Sequence, residues 1–194
     1  MSNPQATVRS PQPARLIVGI TGASGSIYAR RLLEVLPKDY DIHLVISENG
    51  AKVALYELGR DWLPKRKLIH HKTDDFFAPI ASGSFKTAGM VVVPCSMGTL
   101  GAIAAGLSIN LLQRAADVCL KEKRRLILVP RETPYNAVHL ENMHRLSLAG
   151  ATVLDANPPF YQRPRTLRDL VDAIVGRILD QFDISHTLFT AWKA

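Results

Sequence analysis

Short apolar runs and longer amphipathic stretches take turns along the chain. Leu16 to Ile20, Ile42 to Ile46, Met90 to Val93, Leu126 to Val129 and Ala151 to Leu154 are each four or five residues long and largely apolar. Such runs, bounded by polar residues, Gly or Pro, predict strands buried on both faces. From Ser24 the residues Ile27, Leu32, Leu33 and Leu36 recur at helical spacing until Pro37 stops them. Helical patterns also cover Ala51 to Leu58, closed by Gly59, and Gly98 to Ala105, Leu111 to Leu120, Ala137 to Leu148 and Leu167 to Phe182. Arg60 to Lys86 shows neither period. It holds Leu68 to His70 and the string DDFFAPIASGSF, and it reads as a polar connector and ordered loop. Strands alternating with helices predict an α/β domain whose parallel sheet is covered on both faces.

In such sheets the ligand lies in the crevice beyond the carboxyl ends of the strands, so the residues just past each strand are the informative ones. They are Thr21 to Ser26, Ser47, Cys95 to Thr99, Arg131 with Glu132, and Asp155 to Tyr161. The first loop, GITGASGS, has glycines at 19, 22 and 25 where a dinucleotide fingerprint needs G-x-G-x-x-G, and the second strand ends in Ser47 instead of an acid that would clamp a ribose. It is either a tight strand-to-helix turn or a loop holding one phosphate or a flavin edge on free backbone N–H groups. In PCSMGTLGAIAAG, Ser96 and Thr99 stand three apart at the next helix start, where hydroxyls cap the helix or bind phosphate oxygens. Two such loops meeting at one crevice favour a phosphorylated ligand. Arg131 and Glu132 of VPRETP are a structural pair or a phosphate clamp with a proton-handling partner. Arg114 and Lys121, seven apart, share a helix face, so Glu57, Arg114, Lys121, Arg131 and Glu132 are expected to line one charged pocket.

The 194 residues and 47% apolar content suit one domain, 15–194, after a Pro- and Gln-containing tail over 1–14 that lacks an apolar stretch. A formal charge of +7 is scattered, and its one dense run, KEKRR at 121–125, ends a helix where cations complement the dipole. Small phosphorylated ligands explain the surplus better than nucleic acid does. Two lone cysteines, Cys95 and Cys119, indicate neither a disulfide framework nor a zinc knuckle and fit a cytoplasmic protein. Thr87 to Gln113 carries no charge, yet Pro94 and four glycines break it into strand, turn and helix instead of a membrane span. His70 and His71 alternate sides of an extended segment, and His139 and His144 point to different helix faces, so no chelating pair is expected.

Taken in order, GITGASGSIYARRLL, PCSMGTL, RAADVCLKE, VPRETP, FYQRP and DQF resemble the UbiX-type flavin prenyltransferases from Leu16 to Trp192. The resemblance implies a Rossmann-like, flavodoxin-like three-layer sandwich with a mostly parallel sheet. It implies transfer of a dimethylallyl group from dimethylallyl monophosphate to N5 and C6 of reduced FMN, without a metal. The product would serve a prenylated-FMN-dependent decarboxylase, in ubiquinone biosynthesis or aromatic acid decarboxylation. FMN contacts would fall on Gly22, Ala23, Ser24, Ser47, Ser96, Met97, Gly98, Thr99, Arg114 and Arg131. Prenyl-phosphate contacts would fall on Lys121, Arg131, Glu132, Tyr161 and Arg177. Ser24, Glu57, Lys121 and Glu132 are the implied catalytic groups, with Ser24 near the reactive flavin edge and Glu132 handling the phosphate's proton. An aromatic over the prenyl site would be Phe76 or Phe77. The family's dodecamers, with flavin sites at subunit junctions, would turn the uncharged helix Gly98 to Ala105 towards a neighbour. A sister FMN-dependent cysteine decarboxylase would need a His near the first helix, and none precedes His43. A non-catalytic FMN carrier would not need Glu132, Tyr161 or Arg177.

Overall fold

The computed structural model describes residues 14–190. The tail expected over 1–14, Ala14 apart, and Trp192 lie outside the described residues. Six strands form one all-parallel sheet: β1 (Arg15–Ile20), β2 (Asp41–Ile46), β3 (Ile69–His71), β4 (Gly89–Cys95), β5 (Arg125–Pro130) and β6 (Thr152–Val153). Their order is β3-β2-β1-β4-β5-β6, the doubly wound arrangement whose strand order reverses between β1 and β4. Helices α1 (Ser26–Val35), α2 (Glu48–Leu58), α3 (Met97–Ala104), α4 (Leu111–Lys121), α5 (Ala137–Leu148) and α6 (Leu167–Gln181) connect and cover them.

Period-two alternation sorts the strand residues into two cores. Leu16, Val18, Ile20, Val91, Val93, Ile127 and Val129 pack with α1 and α6 on one face. Ile17, Met90, Val92, Leu126 and Leu128 meet α3 and α4 on the other. Because both faces are covered, the strands read as unbroken apolar runs instead of alternating ones.

The expected elements are present, with helix starts shifted: α1 begins at Ser26, two residues later than its pattern, and α2 at Glu48, three residues earlier. The connector is less irregular than expected. It contains β3, parallel to β2, and a 3-10 turn at Pro79–Ala81. Arg66 from this connector donates to the carbonyls of Leu33 and Leu36 (2.9 and 2.8 Å) and of Pro37 (3.0 Å), so one guanidinium caps the C-terminus of α1. The uncharged stretch divides into β4, α3 and the start of α4, and no described helix is long and apolar enough to cross a membrane. Nor is α3 a bare apolar face. Met97, Leu100 and Ile103 are buried against α4 and α5 of the same chain, leaving Gly98 and the turn at Ala105–Leu107 exposed.

Candidate functional site

The reversal between β1 and β4 puts the loops Thr21–Gly25 and Cys95–Thr99 side by side, and Thr21 joins them. Its hydroxyl donates to the Pro94 carbonyl (2.8 Å) and accepts the Ser96 N–H (2.7 Å), and it is 2% exposed. The glycines of the first loop serve three different needs. A Cβ on Gly19 would press on Met90 and Leu112 at 3.1–3.3 Å, and one on Gly22 would sit 2.7 Å from Asn49 Cβ at the start of α2. Gly25 adopts φ 109°, which a side chain opposes. The spacing therefore belongs to a tight turn packed under α2, with a helix N-terminus behind it.

That N-terminus already holds an anion. Gly25, the residue before α1, offers no side-chain cap, and the Glu57 carboxylate from the end of α2 takes its place. Glu57 accepts the Gly25 N–H (3.1 Å to either oxygen) and the Ser26 N–H (2.8 Å). Burial alone would raise its pKa, but bonds from the Ser24 hydroxyl and the Ser26 and Gly25 amides outweigh it and hold Glu57 below the usual carboxylate value. Glu57 thus lies beside Ser24, the two being among the implied catalytic groups, and its carboxylate is bound to the loop. The Thr21 N–H is taken by the Pro94 carbonyl (3.2 Å), so the amides of this loop placed to bind an anion are those of Gly22, Ala23 and Ser24. The Ser47 hydroxyl accepts the Gly50 N–H (3.0 Å) as the cap of α2, and the Ser96 hydroxyl donates to the Thr99 hydroxyl (3.1 Å) and accepts its N–H (3.4 Å). Ser47 and Ser96 are both helix caps, and of the two hydroxyls expected to cap α3 or bind phosphate, that of Thr99 accepts from Ser96 instead.

Arg131 and Glu132 follow β5 at the same end of the sheet. Arg131 Nε donates to the Ser24 carbonyl (3.2 Å) and its N–H to the Cys95 carbonyl (3.4 Å), so it ties three loops together. Exposed Glu132 accepts the Thr133 N–H (3.0 Å). Beside them the Tyr135 hydroxyl donates to Asp155 (2.8 Å). Burial first, then that bond and the charges of Asp155 and Glu132, push the phenol up to about 12. Burial also raises Tyr28, against the pull of Arg131. Sequence reasoning left Tyr28 and Tyr135 out of the site, and it placed Thr21 in the first loop without giving it a role.

The single charged pocket expected from Glu57, Arg114, Lys121, Arg131 and Glu132 does not form within one chain. Helix α4 leads into β5, so Lys121 stands before the strand's first residue and Arg131 after its last. The strand between them spans about 17 Å. Lys121 pairs with Glu122, and Arg114 donates to the Ala81 carbonyl (3.1 Å) and to Asp117 (2.7 Å). Tyr161 and Arg177 do come together, in a cleft of about 590 Å³ beside the C-terminal half of α6. Phe76 and Phe77 are 45% and 100% exposed, so neither anchors in the core. His71, one of the two histidines read as unpaired, meets His43 of the neighbouring strand, ring nitrogens 2.9 Å apart. Burial, and then His71, lowers His43 to about 4.

Comparison with known proteins matches this arrangement to one family. The family model described as Flavoprotein matches residues 5–179. The flavin prenyltransferase UbiX of Halalkalibacterium halodurans is 53% identical over 188 residues, covering 90% of this chain and 91% of that protein. A crystal structure of AnUbiX in complex with FMN and dimethylallyl pyrophosphate superposes with a TM-score of 0.87 at 40% identity, covering 93% of this chain and 98% of that one. A dodecameric FMN-dependent UbiX-like decarboxylase from Escherichia coli O157:H7 gives 0.85 at 41% identity, over 93% of this chain and all of the other (100%). The parallel sheet, its reversal loops and these relatives agree: the chain belongs to the flavoproteins and, among them, to the UbiX-type flavin prenyltransferases.

Proposed function

We propose that this protein transfers a dimethylallyl group from dimethylallyl monophosphate to reduced FMN, and that a prenylated-FMN-dependent decarboxylase receives the product. The carrying observation is the crevice between β1 and β4, where Ser47 caps α2 and no acid ends β2, so the loops suit a mononucleotide. The residues fit FMN: Gly98 at the start of α3 is exposed and has no atom within 4 Å of where a Cβ would stand, which leaves its backbone open to a ring or phosphate. Gly22, Ala23 and Ser24 from one loop, Ser47, Ser96, Met97, Gly98 and Thr99 from the others, and Arg131 would hold it.

Reduced FMN would supply two nucleophilic positions: N5 would bond to the carbon that leaves phosphate, and C6 would add to the donor's C=C bond, whose other carbon takes up a proton, so that of the two protons lost from N5 and C6 one goes to that carbon and the other to phosphate. The C–O bond of the donor breaks with its electron pair leaving on phosphate, and cations at that phosphate stabilise the departing charge. Arg131, Lys121 and Arg177 are those cations, with Tyr161 as a hydroxyl donor. Glu132 passes one proton to the leaving phosphate. The Glu57 carboxylate, bonded to the Ser24 hydroxyl, positions Ser24 and accepts its proton. Lys121 is a strand's length from Arg131 in one chain, so one donor touching both lies between copies. This supports a homo-oligomer, and the dodecameric relative suggests its size.

The test is the mass of the flavin released after incubation with reduced FMN and dimethylallyl monophosphate. A gain of one C5H8 unit is expected, and unchanged FMN would overturn the reading. Glu132→Gln should keep FMN affinity while slowing single-turnover transfer about a hundredfold. Full transfer by a particle of monomeric mass would refute the shared site.

A further inference from the structure

The cleft beside α6 is lined by Tyr161, Arg177, Asp180, His186 and Phe189 and is closed by the segment that follows the helix. Its construction depends on Gly176. A Cβ there would lie 2.3 Å from Phe189 Cε1 and 2.8 Å from His186 Cε1, so the segment seats directly on bare helix backbone. Inside, Asp180 divides its two oxygens between two partners: Oδ2 accepts from Arg177 Nη1 at 2.8 Å, and Oδ1 accepts from His186 Nε2 at 3.0 Å. The backbone sets the imidazole's role, because His186 Nδ1 accepts the Leu188 N–H (3.2 Å) and the ring proton therefore sits on Nε2. The His186 side chain is 10% exposed and that of Arg177 56%. A largely enclosed, backbone-held ring thus anchors a carboxylate that in turn anchors an exposed guanidinium. Only one of the guanidinium's five N–H donors enters that contact, and the others remain for an anion.

We infer that Asp180 and His186 are positioning residues that hold the Arg177 guanidinium ready for the phosphate of the prenyl donor. The inference rests on the reading of Arg177 as a donor contact. A loose arginine gives up rotamer freedom when it grips a phosphate, and one clamped beforehand gives up less. The Asp180 charge works the other way by repelling phosphate, but its two partners already share that charge and solvent screens it.

Asp180→Asn and His186→Ala are to be made singly and in an Arg177→Ala background. KM and kcat would be measured, and dimethylallyl monophosphate binding to the FMN-loaded protein followed by calorimetry. Each single change should raise KM and the calorimetric Kd roughly threefold, the scale of a half-exposed ion pair, with kcat and FMN affinity unchanged. In the Arg177→Ala background neither should add anything. Unchanged or tighter donor binding in the single variants would overturn the inference, as would an equal shift without Arg177, which marks a merely structural role. If Arg177→Ala alone left donor binding unaltered, the assignment of Arg177 itself would fall, and the positioning role with it. Should either variant lose FMN, His186→Gln, which keeps a side chain of similar reach, decides by the same criteria.

Discussion

Thr21 is the residue on which the geometry of the two flavin loops most depends, and Thr21→Val tests this with almost no change of shape. The substitution deletes the hydroxyl that donates to Pro94 and accepts from Ser96. The Pro94 carbonyl still accepts the Thr21 N–H at 3.2 Å, so the group left without a partner is the Ser96 N–H, at the start of α3. Two hydrogen bonds at about 0.5–1.5 kcal/mol each, one leaving an unsatisfied donor, bring the cost to about 2 kcal/mol. For a chain of this size that lowers the unfolding midpoint by roughly 4–8 °C. Thr21→Ser keeps both bonds and loses one methyl, about 0.8 kcal/mol. Denaturant and thermal unfolding of both variants, with FMN titration, separate the terms. The valine variant should be the less stable and bind FMN more weakly, since its third loop contact, from Arg131 to Cys95, is the long one at 3.4 Å. If Thr21→Val were as stable as Thr21→Ser, the hydroxyl would not be what joins the loops.

Glu57→Gln should cost about 0.5–1 kcal/mol at neutral pH, at the low end for a capping carboxylate because the side chain is exposed and screened. Glu57's folded pKa is depressed, so this stabilisation is fully present above the ordinary value of 4.5 and fades as pH falls through the lower folded pKa. A stability gap between parent and variant that persisted to strong acid would contradict the assignment. Gly22→Ala should destabilise by about 1–3 kcal/mol, because its Cβ meets Asn49 Cβ at 2.7 Å between two backbones that cannot both give way. Unfolding curves that superpose on the parent's would show that α2 can move.

The strands and helices were legible because a sheet covered on both faces leaves continuous apolar runs, as in Met90 to Val93. β3 escaped notice because it is three residues long and two of them are histidines. Loop chemistry was legible only by type. Ser96 and Thr99 stand at a helix start in the sequence, and their spacing suits capping and phosphate binding equally well. The contacts that define the site link residues far apart in the chain, as Glu57 does to Gly25, Thr21 to Pro94 and Arg131 to Ser24, and no local pattern records them. The expected union of Lys121 with Arg131 does not occur within one chain for the same reason. Helical spacing places a residue around its own helix axis, while the order of helix and strand decides which end of the sheet it reaches.

Among the described residues, the first strand in chain order lies in the middle of the finished sheet. β1 finds β2 soon after it emerges, since Arg15 lies opposite Asp41, but its other edge waits for Leu16 to meet Gly89. Until then a strand that is apolar from Leu16 to Ile20 carries one row of unpaired backbone groups, the kind of edge that recruits other chains. A nascent chain stopped between β3 and β4 would therefore be the most aggregation-prone length of this protein, and folding during translation must hold that edge apart until β4 arrives to close it.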